Sequence, residues 1–286
     1  MRRDDIHIFW SPRHHLPLVC PSNHRALTVH DMVWRQAPDT MRFGASLLER
    51  LLMPPSIKKA DVVFTPSQAT KRDVCEFLSD FGNQIVVTPL GSLPQGDEQN
   101  NTLAQKFILC VGTLEPRKNL VRMIEAFQLA RERAQLSHSL WIVGSRGWKD
   151  QETLSVINAI GQNSVKWLGP VENSELRALY SSCHFLLACS IYEGFGLPIV
   201  EAAAFGKPSI TSHNSSMPEV AGDGALYADP LDVESICSAI IQLSSDTALY
   251  RKLSAEANTH SKQFTWEATF QGTRASLAQF DRRNEV

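Results

Sequence analysis

Tyr192-Glu193-Gly194-Phe195-Gly196-Leu197-Pro198-Ile199-Val200-Glu201 sets the reading of this chain. The stretch follows an apolar run at 185–188 that has strand character, and it opens a helix. Pro198 suits the first helical position, where its missing N–H would have no intrahelical partner anyway. The two glycines allow a tight turn and close approach of the backbone to a ligand. Unbonded N–H groups around Phe195, Gly196 and Leu197 then point past the strand's carboxyl end, which makes an anion site. Glu193 is badly placed to hold phosphate but well placed to accept hydrogen bonds from sugar hydroxyls. Glu201 lies eight residues on, about one turn into the helix, where it suits a ribose diol. The bland alternative is a Gly-rich strand–helix turn flanked by two solvated glutamates. Two carboxylates and a proline in this register favour the ligand site.

The same plan recurs upstream. The apolar run 107–111 leads into Gly112-Thr113-Leu114-Glu115-Pro116-Arg117-Lys118-Asn119 and then an amphipathic helix with Leu120, Ile124, Phe127 and Ala130 on one face. Arg117 and Lys118 near a helix N-terminus oppose the helix dipole, a cost that a bound diphosphate would offset. Further short apolar runs at 6–10, 26–29, 62–65, 85–88, 140–143, 165–168 and 209–211 lack strict alternation, as strands buried on both faces of a parallel sheet do. Helical segments lie between them: Leu154, Ile157 and Ile160 closed by Gly161, then Leu176, Leu179 and Tyr180, and a helical stretch from Leu231 to the end. Strand–helix alternation predicts an α/β fold with doubly wound sheets. The polar, Gly- and Pro-containing stretch 91–101 is a linker candidate.

A third candidate is Thr28-Val29-His30-Asp31, at the end of a predicted strand. Asp31 can fix the tautomer of His30 or cap the next turn. Gly144-Ser145-Arg146-Gly147-Trp148 follows a strand but reads as an ordinary turn. Five of the nine histidines fall in the first 30 residues, yet none has the helical spacing of a zinc site, so no metal is expected. Neither a Walker A loop nor G-x-S-x-G occurs.

At 286 residues, with 43% hydrophobic and 20% charged, the chain is an ordinary globular protein with a length prior of two domains. A net charge of -2 provides no global field for nucleic acid or an anionic membrane, although a local basic patch stays open. The six cysteines include no C-x-x-C pair and mostly lie in apolar runs, as reduced, buried thiols of a cytoplasmic protein do. Arg2 and Arg3 are followed by Asp4 and Asp5 rather than by an apolar segment, so no signal peptide is expected. No apolar run reaches the roughly 18 residues of a membrane span. Peripheral contact with the inner face of a membrane stays open.

These pieces, in this order, resemble the retaining GT-B glycosyltransferases of family four, especially the bacterial mannosyltransferase-like members. The resemblance runs from about residue 6 to about residue 280. It is most specific at 111–120, at 192–201 with its Glu193–Glu201 spacing, and at Ser215-Ser216-Met217-Pro218-Glu219-Val220-Ala221-Gly222. It implies an α/β protein of GT-B type, two Rossmann-like domains facing a cleft, with a partial acceptor-side domain at 1–95. A nucleotide-sugar-binding domain would span 96–264, and a C-terminal helix, 265–286, would return to the first domain. It further implies transfer of a hexose, with mannose favoured, from a nucleotide-diphosphate sugar to a saccharide or lipid-linked acceptor with retention. The setting would be cell-surface polysaccharide synthesis. No metal or other cofactor is needed, and GDP-mannose is favoured over UDP-sugars.

Carried over residue by residue, Arg117 and Lys118 match the pair on the diphosphate, and Gly112 lies beside them. Glu193 and His30 match groups near the donor sugar. Phe195, Gly196 and Leu197 match backbone donors to sugar and phosphate. Glu201 matches the ribose carboxylate, and Val171 falls where the family touches the base. The usual opening strand and Gly-rich loop have no counterpart before residues 5–12, which implies an incomplete N-terminal domain. Three readings follow from that: a piece of a longer enzyme, a short enzyme completed by a partner subunit or by self-association, or a non-catalytic nucleotide-sugar-binding protein. The Glu193–Glu201 motif and Arg117-Lys118 argue against a nucleotide-sugar epimerase, which shares the architecture.

Overall fold

A computed structural model describes residues 6–20, 22–78, 84–93, 106–161 and 164–281. Contacts divide the chain into two units. The first takes the described residues up to Gly91, Glu193–Phe195, and those from Phe264 on; the second takes the rest. Residues 94–101 of the linker candidate lie outside the described residues.

The first unit begins with β1 (Ile8–Ser11), β2 (His24–Thr28), α1 (Val33–Gln36), α2 (Phe43–Lys59), β3 (Val62–Thr65), α3 (Gln68–Phe77) and β4 (Gln84–Val87). Its four strands are parallel, in the order β1-β2-β3-β4. Side chains alternate between faces along each strand. Leu27 and Val63 join Met53 and Ile57 of α2 and Val74 of α3 on one face. Ala26, Val62 and Phe64 meet Phe280 on the other. Ser67 starts α3 by accepting the Thr70 N–H at 3.0 Å, a side-chain cap of an otherwise orphaned donor. The seventeen-residue α2 has no counterpart in the sequence-based expectations, because Pro54 and Pro55 sit inside it. Proline removes a backbone donor and normally ends a helix.

The second unit contains β5 (Phe107–Val111), α4 (Leu120–Ala134), β6 (Ser139–Val143), α5 (Gln151–Ile160), β7 (Val165–Gly169), α6 (Asn173–Ser182) and β8 (Leu186–Ala188). It continues with α7 (Leu197–Ala204), β9 (Ser209–Ser212), α8 (Met217–Ala221), β10 (Ala225–Ala228), α9 (Val233–Ser245) and α10 (Thr247–Ser261). All six strands are parallel, in the order β10-β9-β8-β5-β6-β7. Counted from β5 this is 3-2-1-4-5-6, the doubly wound Rossmann order. The core joins Ile108 and Cys110 of β5 to Ile124 and Phe127 of α4 and Ile236 and Ile240 of α9. On another set of helices, α7 packs against α6 and α10.

The last helix, α11 (Trp266–Asp281), belongs to the first unit, and its Phe280 lies on that unit's sheet. Each apolar run read as a strand overlaps an observed one, with ends that agree within two residues. β10 is an addition: Ala225-Leu226-Tyr227-Ala228 is too short and mixed to stand out by pattern. One position is corrected. α7 begins at Leu197, so Pro198 occupies the second helical position, not the first. All six cysteines are among the described residues and none forms a disulfide. Among the described residues no helix is long and apolar enough to cross a membrane.

Candidate functional site

In a sheet of this order the chain reverses its direction of winding between β5 and β8, and ligands bind outside the carboxyl ends of the strands at that switch point. The loops after β5 and β8 are the ones that carry the two strongest sequence motifs.

The loop after β8 is held by side chains rather than by a backbone ladder. Four consecutive carbonyls, those of Cys189, Ser190, Ile191 and Tyr192, each accept a side-chain hydrogen bond. Asn119 Nδ2 donates to Cys189 O at 2.9 Å, and Ser212 Oγ to Ser190 O at 2.7 Å. Asn214 Nδ2 donates to Ile191 O at 3.0 Å, and Arg117 Nη1 to Tyr192 O at 3.1 Å. The donors come from the loops after β5 and β9 and from the end of β9, so both flanking strands grip the loop. The Ile191 N–H also donates to Arg117 O at 2.9 Å. A net contribution near 1 kcal/mol per bond is modest, but leaving such buried carbonyls unpaired costs about 1–3 kcal/mol each. The arrangement therefore fixes the loop conformation ahead of any ligand.

Arg117 and Lys118 lie in a single 3-10 turn, Pro116–Lys118, just before α4. The Arg117 guanidinium is three-quarters or more covered, and its Nη2 pairs with Glu115 Oε1 at 2.6 Å. It is thus a brace as well as a charge. The Lys118 stem runs over Gly112, with its Cε 3.0 Å from where a Cβ at Gly112 would stand. This places the ammonium group beside the end of β5. Asn119, buried and left-handed at φ 61°, ends this turn. Besides Cys189 O its Nδ2 reaches Pro230 O at 2.6 Å, and its Oδ1 accepts from Arg122 at 3.0 Å.

Gly196, at φ 106°, is the cap residue of α7 and takes a left-handed conformation that disfavours side chains. The first-turn amides of a helix have no intrahelical acceptor, and here they lie at the end of β8. One turn in, Glu201 is half-buried and accepts the Tyr180 hydroxyl at Oε2, 2.7 Å away. Burial pushes its carboxyl above the usual range, and the Tyr180 bond pulls it back in part. Tyr180 is fully buried on α6. Val171 is half-exposed after β7, two strands from the switch point.

The remaining candidates belong to the first unit. Glu193 is buried there, and Phe195 packs edge-on against Phe264 at 5.7 Å. Between them, Gly194 O accepts from Ser67 Oγ at 2.7 Å and Thr70 Oγ1 at 3.1 Å. A Cβ on Gly194 would stand 1.9 Å from His30 O, so only glycine permits this approach. His30 Nε2 donates to Pro12 O at 2.9 Å. Of the two roles open to Asp31, the structure shows the turn cap: Oδ1 accepts the Val33 N–H at 3.1 Å.

In the second unit the structure brings Gly112, Arg117 and Lys118 into the loop after β5, with Gly196, Leu197 and Glu201 on α7 after β8. His30 and the Glu193–Phe195 segment meet in the first unit. The residues that sequence reasoning missed are positioning ones: Asn119, Ser212, Asn214, Tyr180, Ser67 and Thr70. Tyr180 lies on α6 and Thr70 on α3; the other four are small polar or amide side chains at or just after a strand end, a signal too frequent to single out. Among the described residues, no group of three or more His, Cys, Asp or Glu is placed to hold a metal ion.

A family model described as glycosyl transferases group 1 matches residues 95–260. O-antigen chain mannosyltransferase B of Escherichia coli is 31% identical over 224 residues, covering 74% of this chain and 59% of that protein. O-antigen chain mannosyltransferase RfbU of Salmonella typhimurium is 30% identical, covering 78% of this chain and 64% of that protein. The chain therefore spans about three-fifths of the length of these curated relatives. Among solved structures, a sucrose-phosphate synthase from Thermosynechococcus elongatus superposes with a TM-score of 0.72 at 20% identity, covering 91% of this chain and 69% of that one. WaaG, a glycosyltransferase involved in lipopolysaccharide biosynthesis, superposes with a TM-score of 0.70 at 15% identity, covering 88% of this chain and 77% of that one. These structural likenesses show the fold, α/β of the GT-B type.

Proposed function

The chain belongs to the glycosyl transferases group 1 family, and we propose that it transfers a hexose from a nucleotide-diphosphate sugar to a saccharide or lipid-linked acceptor in cell-surface polysaccharide synthesis. Mannose is the sugar, a choice the names of the relatives support, and GDP-mannose is the favoured substrate, ahead of UDP-sugars. The observation that carries the reading is the switch-point loop of the second unit. Its four carbonyls are pinned from both sides, and it lies between Lys118 at the end of β5 and the N-terminus of α7.

The chemistry follows from where charge develops. Breaking the sugar–phosphate bond builds negative charge on the diphosphate, and fixed donors aimed at that charge lower the barrier. Lys118 supplies a compact cation, Arg117 a second one already braced by Glu115, and α7 its positive end. Glu201, held by Tyr180, receives the ribose hydroxyls, and Val171 receives the base. In the first unit Glu193 and His30 serve the sugar. The acceptor hydroxyl attacks the anomeric carbon from the face the diphosphate leaves. Its proton passes to the departing phosphate oxygen, so configuration is retained with no protein nucleophile and no metal.

Calorimetric titration with GDP and UDP tests the site. Saturable binding with GDP tighter than UDP is the expected result; no binding of either refutes the reading. If GDP binds but GDP-mannose with acceptor yields no GDP, the chain is a nucleotide-sugar-binding module or a subunit that needs a partner.

A further inference from the structure

His30 is held in two ways. Its backbone is fixed by close neighbours: a Cβ at Gly194 would stand 1.9 Å from His30 O, and Thr70 Oγ1 of α3 lies 3.5 Å from the same oxygen. Its side chain is partly exposed and depends on the loop after β1. Pro12 O in that loop accepts the bond from Nε2. The His14 ring stands against the His30 ring, tilted by 45° with centroids 5.7 Å apart.

Residues 12–16 of this loop form neither helix nor strand, so side chains have to fix them. Ser11 Oγ reaches Arg13 O at 2.8 Å and His15 O at 2.7 Å. The other anchors come from α2. Leu16 N–H donates to Ser56 Oγ at 3.0 Å. Glu49 Oε2 accepts from His15 Nε2 at 2.9 Å and faces His14 Nδ1 at 3.4 Å. Glu49 and Ser56 are seven residues apart, close to two turns, so one side of the helix supplies both. Glu49 is also the one acidic residue of α2. Burial raises its carboxyl, but the bonds and charges of His14 and then His15 outweigh burial and hold it below the usual range. An ionised carboxylate only accepts hydrogen bonds, which suits it to gather two imidazoles. Among the described residues no bond joins Glu49 to His30, so the link between them is the loop.

We propose that Glu49 is a positioning residue: through His14 and His15 it clamps the loop after β1 and so sets the place of the His30 ring. Its consequence for turnover rests on the reading that His30 serves the donor sugar. A reacting group misplaced by about 1 Å can cost roughly 10²-fold in rate. The test compares the full-length parent with Glu49→Ala and with Glu49→Gln, which keeps the volume and removes the charge. Nitrogen NMR of the histidine side chains should show the His30 ring signals displaced, although the substituted residue does not touch that ring. With GDP-mannose and acceptor, Glu49→Ala should lower kcat about ten-fold and leave KM for GDP-mannose within about two-fold. In a His30→Ala background the same change should cost nothing further, since a residue that acts through His30 has no effect without it. If Glu49→Ala lowers the melting temperature, Glu49→Gln carries the comparison. His30 signals unmoved in a variant that melts like the parent overturn the proposal, and so does an equal loss of kcat in both backgrounds. The spectra need no turnover: a parent inactive with GDP-mannose would refute the reading of the site, and the His30 signals would still decide whether Glu49 positions that ring.

Discussion

The loop at 189–192 and the helix α2 depart from the usual inside–outside pattern in opposite directions. The loop gathers polar groups into a protein interior: four carbonyls, each met by a side-chain donor. The helix sends leucines and a phenylalanine into solvent. Places where local rules fail are where function is expected, because the failure must be compensated elsewhere. The compensation differs between the two. For the loop it is present within the unit, as hydrogen bonds from both flanking strands. For the helix the described residues do not supply it. One region is preorganised; the other keeps its apolar side chains exposed among the described residues.

The largest effect that would sharpen this contrast is on turnover. Lys118→Ala should cut GDP release from GDP-mannose by roughly 10²-fold or more, with stability close to that of the parent. A near-parental rate would remove Lys118 from the leaving-group site. Next in size is Asn119→Ala, which strips donors from Cys189 O and Pro230 O in a left-handed position. A loss of roughly 1–3 kcal/mol is expected in urea unfolding, together with weaker nucleotide binding; an unchanged midpoint would show that the loop holds itself. Tyr180→Phe should cost about 0.5–1.5 kcal/mol and raise the Glu201 carboxyl further, since the bond that lowers it is lost while burial remains. Carboxylate titration by NMR reads that shift.

A pH experiment separates the loop from its scaffold. His138 and His184 precede β6 and β8, at the amino ends of the strands, and are stacked with His138 Nε2 and His184 Nδ1 2.8 Å apart. Burial lowers both, with Lys106 adding to the effect, and takes His184 to about 4. The unfolded chain binds these protons more readily than the folded one. Stability should thus be full above about pH 6.5 and fall as the pH drops toward 4. His184→Gln should flatten that dependence without altering nucleotide affinity at neutral pH. The smallest effect belongs to α2: Leu47→Ser should change stability by no more than about 0.5 kcal/mol. Met53→Ala, on the buried face of the same helix, should cost about 2–5 kcal/mol.

Much of the fold was legible because parallel strands buried on both faces announce themselves as continuous apolar runs. The run at 107–111 and the amphipathic helix after it are instances. The turn carrying Lys118 and the helix start carrying Glu201 were legible because glycine, proline and charge fall at fixed offsets from those runs. α2 was not, since Pro54 and Pro55 break its helical pattern and apolar residues on both faces erase its periodicity. β10 was not, since four residues with one exposed tyrosine give no pattern. The bracing residues were hidden for a third reason. Ser212 and Asn214 act on carbonyls 22 and 23 residues away, and only tertiary structure brings an amide or a hydroxyl to a particular backbone oxygen.

The central claim, that the pinned loop between β5 and β8 forms a site for a nucleotide-diphosphate sugar, is tested most directly by titrating GDP into the parent chain and Lys118→Ala by calorimetry. The account predicts one saturable site in the parent and binding at least about ten-fold weaker in the variant, with matching melting curves. Equal affinities in the two proteins, or no heat of binding in the parent, would contradict it.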